Sequence, residues 1–411
     1  MARQFNVPEF YHSPIITRVK EARRAADPRK RDLSPSALDF GPVRVKIARH
    51  FGFCFGVENA IEIAYRALEE NPGRRIFLLS EMIHNPHVND DLRGRGIRFL
   101  RTTRGEPLVP LDALTPDDLV IIPAFGASLE VAAELARRGL DTRAYDTTCP
   151  FVEKVWKRSR QIGGQAYTVV VHGKRHHEET RATFSHARVA APVVVVRDRA
   201  EAEALADVIR GVRDRAFFFE RFAGRHSEGF DPDRHLRRIG VVNQTTMLAA
   251  ETQAIADLLR RAMSDRFGAD RLAEHFADTS DTLCYATNEN QDATKALIAD
   301  GADLALIVGG YNSSNTSHLV ELAEAAMPAY FIADAGEIES ADVIRHFDLH
   351  AKRRRTTGGW LPPKRPVEIA LTAGASCPDA LLDAVIRRIL DLFPGHLPVE
   401  AALAPFETAA A

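Results

Sequence analysis

Leu304-Ala305-Leu306-Ile307-Val308 runs straight into Gly309-Gly310-Tyr311-Asn312-Ser313-Ser314-Asn315. A short, unbroken apolar run closed by a glycine turn predicts a strand buried on both faces. The serines and asparagine that follow predict a helix start, because short polar side chains accept from the N–H groups a first turn leaves unpaired. The same strand, turn and helix recur along the chain. Val43–Ala48 leads to Gly52-Phe53-Cys54 and then to Val57, Ala60, Ile61, Ala64 and Leu68 at helical spacing. Asp118–Pro123 leads to Ala124-Phe125-Gly126-Ala127-Ser128 and a helix through Leu135. Tyr167–Val171 leads to His172-Gly173-Lys174, and Ile239–Val242 to Asn243-Gln244-Thr245-Thr246. Val367–Leu371 leads to Thr372-Ala373-Gly374-Ala375-Ser376 and a helix through Ile389. Strands alternating with helices imply α/β layers with parallel sheets, whose functional groups gather at the carboxyl ends of the strands. The unusual polar clusters of this chain fall at those ends.

Composition narrows the class further. Of 411 residues, 45% are hydrophobic and 27% charged, enough apolar material for a sizeable core. Lys and Arg number 54 against 56 Asp and Glu, a formal charge of −2, so there is no global attraction to nucleic acid or an anionic membrane. No apolar run approaches the roughly 18 residues of a membrane helix, and the N-terminus shows no signal-peptide core. Four cysteines are too few for a disulfide framework. A cytoplasmic protein of several domains is expected. Residues 1–42 stand apart: Arg18, Lys20, Arg23, Arg24, Arg29, Lys30 and Arg31 mix with Pro8, Pro14, Pro28 and Pro35, which reads as a loosely ordered basic N-terminal arm.

An internal echo suggests three related units. Asp146-Thr147-Thr148-Cys149 and Asp281-Thr282-Leu283-Cys284 share one pattern, and Cys54 sits in an equivalent turn before a helix. The expected division is 43–150, then 151–283 with an insertion near 198–238, then 284–395, with a tail over 396–411.

Three groups of residues bear chemistry. Cys54, Cys149 and Cys284, each at a turn before a helix, are either separate buried thiols or ligands of a shared iron–sulfur cluster, since zinc would want a close-spaced pair that is absent. Ser313, Ser314, Asn315, Thr245, Thr246 and Ser376 at helix starts are either plain N-caps or donors to a phosphate-like anion. No P-loop and no dinucleotide fingerprint accompanies them. His172 to Thr180 (HGKRHHEET) is either a surface charge run or a histidine for the anion with a carboxylate for proton transfer. His84, in Ile83-His84-Asn85-Pro86, is a further candidate.

Taken together, Gly52-Phe53-Cys54-Phe55-Gly56-Val57, Ile83-His84-Asn85-Pro86, Asp146-Thr147-Thr148-Cys149-Pro150, His177-Glu178-Glu179-Thr180, Asn243-Gln244-Thr245-Thr246, Asn312-Ser313-Ser314-Asn315 and Thr372-Ala373-Gly374-Ala375-Ser376 resemble one family. It is the 4-hydroxy-3-methylbut-2-enyl diphosphate reductases, the last enzymes of the non-mevalonate isoprenoid pathway, and the resemblance spans Val43 to Leu392. It implies a trefoil of three α/β domains around a central 4Fe–4S cluster with an open apical iron. Cys54, Cys149 and Cys284 fall on its ligands. His84, His177, Thr245, Thr246, Ser313, Ser314, Asn315 and Ser376 fall on substrate-holding positions, and Glu179 on the proton donor. The implied reaction is reductive dehydroxylation of (E)-4-hydroxy-3-methylbut-2-enyl diphosphate to isopentenyl and dimethylallyl diphosphate. Electrons would come from ferredoxin or flavodoxin, in a monomer or homodimer.

Two positions depart from the pattern. Phe125 stands where many bacterial members carry a histidine, as in the plastid and cyanobacterial branch, which also shares the Phe230-Asp231-Pro232-Asp233 insertion. Cys377 stands where the family usually has a small or hydroxyl residue, and reads as a passenger beside the substrate. The rival readings are a quinolinate-synthase-like iron–sulfur dehydratase, which should lack the diphosphate turns, and a non-catalytic iron–sulfur sensor, which should show a basic face.

Overall fold

In a computed structural model, residues 5–277 and 282–407 are described; Asp281 lies outside them. The apolar runs become strands where the pattern predicts them, and the chain divides into two units. One takes the N-terminal residues through Glu58, then His84–His87, then the chain from Tyr285 onward; the other takes Asn59–Ile83 and Val88–Cys284.

The first unit is built on a five-stranded sheet in the order Ser36–Asp39, Val43–Ile47, Val367–Ala373, Leu304–Val308, Ala329–Ile332. The Ser36–Asp39 edge is antiparallel and the other pairings are parallel, with Ile369 opposite both Val45 and Leu304. Leu304 through Val308 are all buried, which is why that segment carries no polar alternation. Val43–Ile47 therefore pairs with the far end of the chain and not with the strands that follow it.

The basic arm is not loose. Pro14–Ala26 is a helix capped by Ser13, whose Oγ accepts from the Ile16 N–H at 3.1 Å. Ile15, Ile16, Val19 and Ala22 are buried against the helices Asp379–Asp391 and Val399–Glu407, and Lys20 pairs with Asp379 at 2.8 Å. Burying each of the three larger side chains contributes about 1.5–3 kcal/mol, which offsets part of the cost of ordering a helix whose other face is cationic.

The second unit holds two three-stranded parallel sheets. Ile76–Leu78 lies between Arg98–Phe99 and Leu119–Ile121; Thr168–His172 lies between Val193–Val196 and Ile239–Asn243. The excursion over 198–238 forms the helices Arg199–Arg210, Arg215–Arg221 and Pro232–His235. It extends the core of the sheet: Phe218, Phe222 and Phe230 are buried with Leu205 and Ile209 in one cluster with Val170, Val194 and Val241, and Phe218 stacks on Phe230 with ring centroids 5.0 Å apart. Mixed α/β layers with small parallel sheets, as expected, are what the sequence builds. Among the described residues no helix is long and apolar enough to cross a membrane.

Candidate functional site

In the second unit the strands Thr168–His172 and Ile239–Asn243 end side by side, and their turns build one polar cluster. His177 caps the helix Glu178–Ala187, its Nδ1 accepting from the Glu179 N–H at 3.2 Å. A neutral imidazole that accepts at Nδ1 carries its proton on Nε2 and presents a donor there. Glu179 is 1% exposed. Its Oε1 accepts from the Thr245 N–H at 2.6 Å, and its Oε2 lies 2.9 Å from the Thr245 hydroxyl. Gln244 ties the turns together, Oε1 accepting from Lys174 N–H at 3.1 Å and the Thr180 hydroxyl at 3.0 Å, while its amide donates to Thr246 Oγ1 at 2.8 Å.

Two of the candidate cysteines join this cluster. Cys149 is the N-cap of Pro150–Gly164 and its N–H donates to Ala124 O at 3.0 Å. The Cys284 N–H donates to Thr245 O at 3.4 Å, just before the helix Tyr285–Asp300. Burial pushes the Cys149 thiol up to about 12; the N–H of Phe151 opposes this, while charge on Cys284 and on Glu179 adds to it. Cys149, Cys284 and Glu179 are thus near enough to feel one another. Phe125, the departure noted above, packs edge-on against the His177 ring with centroids 5.6 Å apart.

The first unit gathers the other candidates at the ends of Leu304–Val308 and Val367–Ala373. Ser313 caps the helix Ser314–Glu324, its Oγ 3.2 Å from the Thr316 N–H and 3.0 Å from the Thr316 hydroxyl. Asn315 Oδ1 accepts from the Ala375 N–H at 2.9 Å, whereas its Nδ2 is buried without a partner. A buried amide donor left unmatched costs about 1–3 kcal/mol, a cost an anionic ligand would remove. Ser376 Oγ donates to the His84 backbone carbonyl at 3.1 Å, and a Cβ at Gly310 would stand 2.4 Å from that same oxygen. His84 is thereby clamped between the two turns. At Gly374 a Cβ would meet Thr316 Oγ1 at 1.9 Å, so only glycine lets the turns close on each other. Cys54 belongs to this unit, its N–H donating to Ala375 O at 3.3 Å and its carbonyl accepting from Val57 and Glu58.

Cys377 is not a passenger beside a ligand. It is wholly buried in the apolar core, with its thiol 3.7 Å from the Pro378 carbonyl. Sequence reasoning missed Thr316 and Asn290, which buttress Ser313 and Asn315 from within helices. The N-cap rule points to Thr316, three residues after the cap; Asn290 carries no such signal.

Cysteine thiolates are the donor type that an iron–sulfur cluster takes. Cys54, Cys149 and Cys284, none of them in a disulfide, stand at helix starts, where N–H groups favour thiolate charge. Among the described residues no three His, Cys, Asp or Glu side chains within either unit converge on a single-metal site.

The profile of the LytB protein family matches residues 45–390. This chain belongs to the LytB family. A Gloeobacter violaceus relative named 4-hydroxy-3-methylbut-2-enyl diphosphate reductase is 44% identical over 355 residues, covering 86% of this chain and 84% of the relative. A Thermosynechococcus vestitus protein of the same name is 42% identical over 353 residues, covering 86% and 85%. The solved structure of (E)-4-hydroxy-3-methyl-but-2-enyl diphosphate reductase, described as the terminal enzyme of the non-mevalonate pathway, superposes with a TM-score of 0.51 at 25% identity, covering 84% of this LytB-family chain and 98% of its own. That of a Plasmodium falciparum reductase gives 0.62 at 20% identity, covering 86% and 90%, a likeness of fold.

Proposed function

We propose that this LytB-family chain reduces (E)-4-hydroxy-3-methylbut-2-enyl diphosphate to isopentenyl and dimethylallyl diphosphate. In balance, the allylic alcohol takes up two electrons and two protons, its C–O bond breaks, and water leaves. A 4Fe–4S cluster held by Cys54, Cys149 and Cys284 would supply the electrons. What the chain itself supplies is a place for the diphosphate and a proton for the departing oxygen.

The observation that carries this reading is the Glu179 carboxylate, 1% exposed, gripped through both oxygens by Thr245 and near enough to Cys149 to shift its titration. An acid in that position serves C–O cleavage because a hydroxyl leaves readily only when protonated. The Thr245 hydroxyl can donate to the carboxylate or accept from the carboxylic acid, so Thr245 fits Glu179 before and after it gives up its proton. The diphosphate would be held by Ser313, Ser314, Asn315, Ser376 and Thr246, with the ring N–H groups of His84 and His177. The orphaned Asn315 amide supports that assignment. Neutral donors in number, without a lysine or arginine among them, bind a diphosphate without placing a fixed cation beside the redox group.

A cytoplasmic enzyme served by ferredoxin or flavodoxin, as monomer or homodimer, completes the reading. It is tested by anaerobic purification of the iron-loaded chain and assay with the hydroxylated diphosphate and a dithionite-reduced dye. The two five-carbon diphosphates are the expected products; a carboxylate-specific dehydration instead would transfer the chain to the quinolinate-synthase-like reading.

A further inference from the structure

The second unit contains a cavity of about 390 Å³ whose lining includes none of Ser313, Ser314, Asn315 or Ser376. One wall is the Arg101–Gly105 turn and the start of the helix Leu129–Arg137; the other is Arg175 and the helix Glu178–Ala187. Five guanidinium groups line it, from Arg101, Arg104, Arg175, Arg181 and Arg188, against the two carboxylates of Glu130 and Glu178. The walls thus carry an excess of three positive charges.

One of the two carboxylates is already committed. Glu130 Oε2 accepts from the Ser185 hydroxyl at 2.8 Å, and Glu130 pairs with Arg188. Burial opposes its charge, but those hydrogen bonds hold its carboxyl down at about 2, so it stays anionic and neutralises Arg188. Arg181 feels the charge of Glu178, and among the described residues Arg101, Arg104, Arg175 and Arg181 form no ion pair with a carboxylate. Arg175 is positioned by other means: its Nε donates to Gly224 O at 2.7 Å and its guanidinium lies over the Phe184 ring, 5.1 Å from the centroid.

Room has been made for these cations. A Cβ at Gly105 would stand 2.9 Å from Arg181 Nη1, and Gly105 has φ +90°. The absence of a side chain there lets Arg181 reach across the cavity to the opposite turn. Burial lowers the proton affinity of Arg101, Arg175 and Arg181, and repulsion from Arg181 lowers the first two further. Like-charged guanidinium groups that are partly buried are disfavoured until an anion joins them.

We propose that this cavity is a second anion site, which binds a small molecule of the diphosphate class through Arg101, Arg104, Arg175 and Arg181. Its volume lies within the roughly 300–1,000 Å³ of small-molecule sites, and planar guanidinium forks match phosphoryl oxygens in pairs. Leu79, Val131 and Phe184 add an apolar wall that would take a short organic group of a diphosphate ester. This inference stands apart from the reductase reading: failure of turnover leaves the binding event in place.

Calorimetric titration of inorganic diphosphate into the anaerobically purified full chain tests it. The wild type should take up two per chain. Arg101→Gln with Arg181→Gln should abolish one of these events and spare the other, whereas Asn315→Ala with Ser376→Ala should do the reverse. Unchanged stoichiometry and affinity in the arginine variant overturns the proposal. If that variant does not fold, Arg101→Lys with Arg181→Lys keeps the charge but loses the paired contacts. It should weaken the same event roughly tenfold, and unchanged affinity there overturns the proposal equally. A parallel titration with isopentenyl diphosphate separates the sources: tighter arginine-dependent binding assigns an ester, equal binding assigns the inorganic group, and the absence of any arginine-dependent event with either probe overturns the site.

Discussion

Thr245 holds both oxygens of Glu179, its N–H 2.6 Å from Oε1 and its hydroxyl 2.9 Å from Oε2. Glu179 lies in the first turn of the helix Glu178–Ala187, and Thr245 lies two residues past the strand Ile239–Asn243, which pairs with Thr168–His172. The backbone N–H survives any substitution at 245, but the hydroxyl does not. Thr245→Val keeps the shape and removes one hydrogen bond to a charged group, worth about 1.5–3 kcal/mol. Turnover should fall roughly tenfold to a hundredfold at unchanged iron content, and Thr245→Ser should restore most of it. Steady-state kinetics of both variants check this.

Asn315 offers a different handle, because its two amide atoms do separate work. Oδ1 secures the Ala375 N–H, while buried Nδ2 has no acceptor. Asn315→Asp keeps the first contact and replaces the donor with a negative charge. Substrate affinity should therefore fall more for Asn315→Asp than for Asn315→Ala, with the alanine variant down roughly tenfold to a hundredfold. Binding titrations with the substrate diphosphate show whether the order holds; equal affinities would remove Asn315 from the anion site.

Cys377 is buried in the core, and Cys54, Cys149 and Cys284 open helices beside polar turns. Cys377→Ser should retain full iron and sulfide while losing about 1–3 kcal/mol of stability, the cost of a poorly matched hydroxyl in an apolar setting. Serine at 54, 149 or 284 should abolish the iron. Iron and sulfide analysis of anaerobic preparations, with thermal unfolding of Cys377→Ser, decides both halves.

The strands were legible because Leu304–Val308 and the middles of Thr168–His172 and Ile239–Asn243 are buried and carry no polar alternation. Their turns were legible for the same reason, since a polar residue at such a strand end must serve a cap or a ligand. Pairing was not. Val43–Ile47 lies beside Val367–Ala373, a contact between distant segments that no local pattern encodes. The helix Pro14–Ala26 was hidden by its own arginines and lysine, which mask a buried stripe of Ile15, Ile16, Val19 and Ala22. The arginine-lined cavity was invisible for a related reason: Arg101 and Arg181 lie far apart in the chain and each alone reads as a surface charge.

Glu179→Gln asks the central question most directly. Glutamine preserves the size of the side chain and an acceptor for the Thr245 N–H, but has no transferable carboxylic proton. General acid catalysis is worth about 10²–10⁴-fold. The account predicts a protein with full iron and sulfide and near-normal affinity for the hydroxylated diphosphate, whose turnover with a dithionite-reduced dye falls about a hundredfold or more. Near-normal turnover with glutamine at this position would contradict it and place the proton source elsewhere.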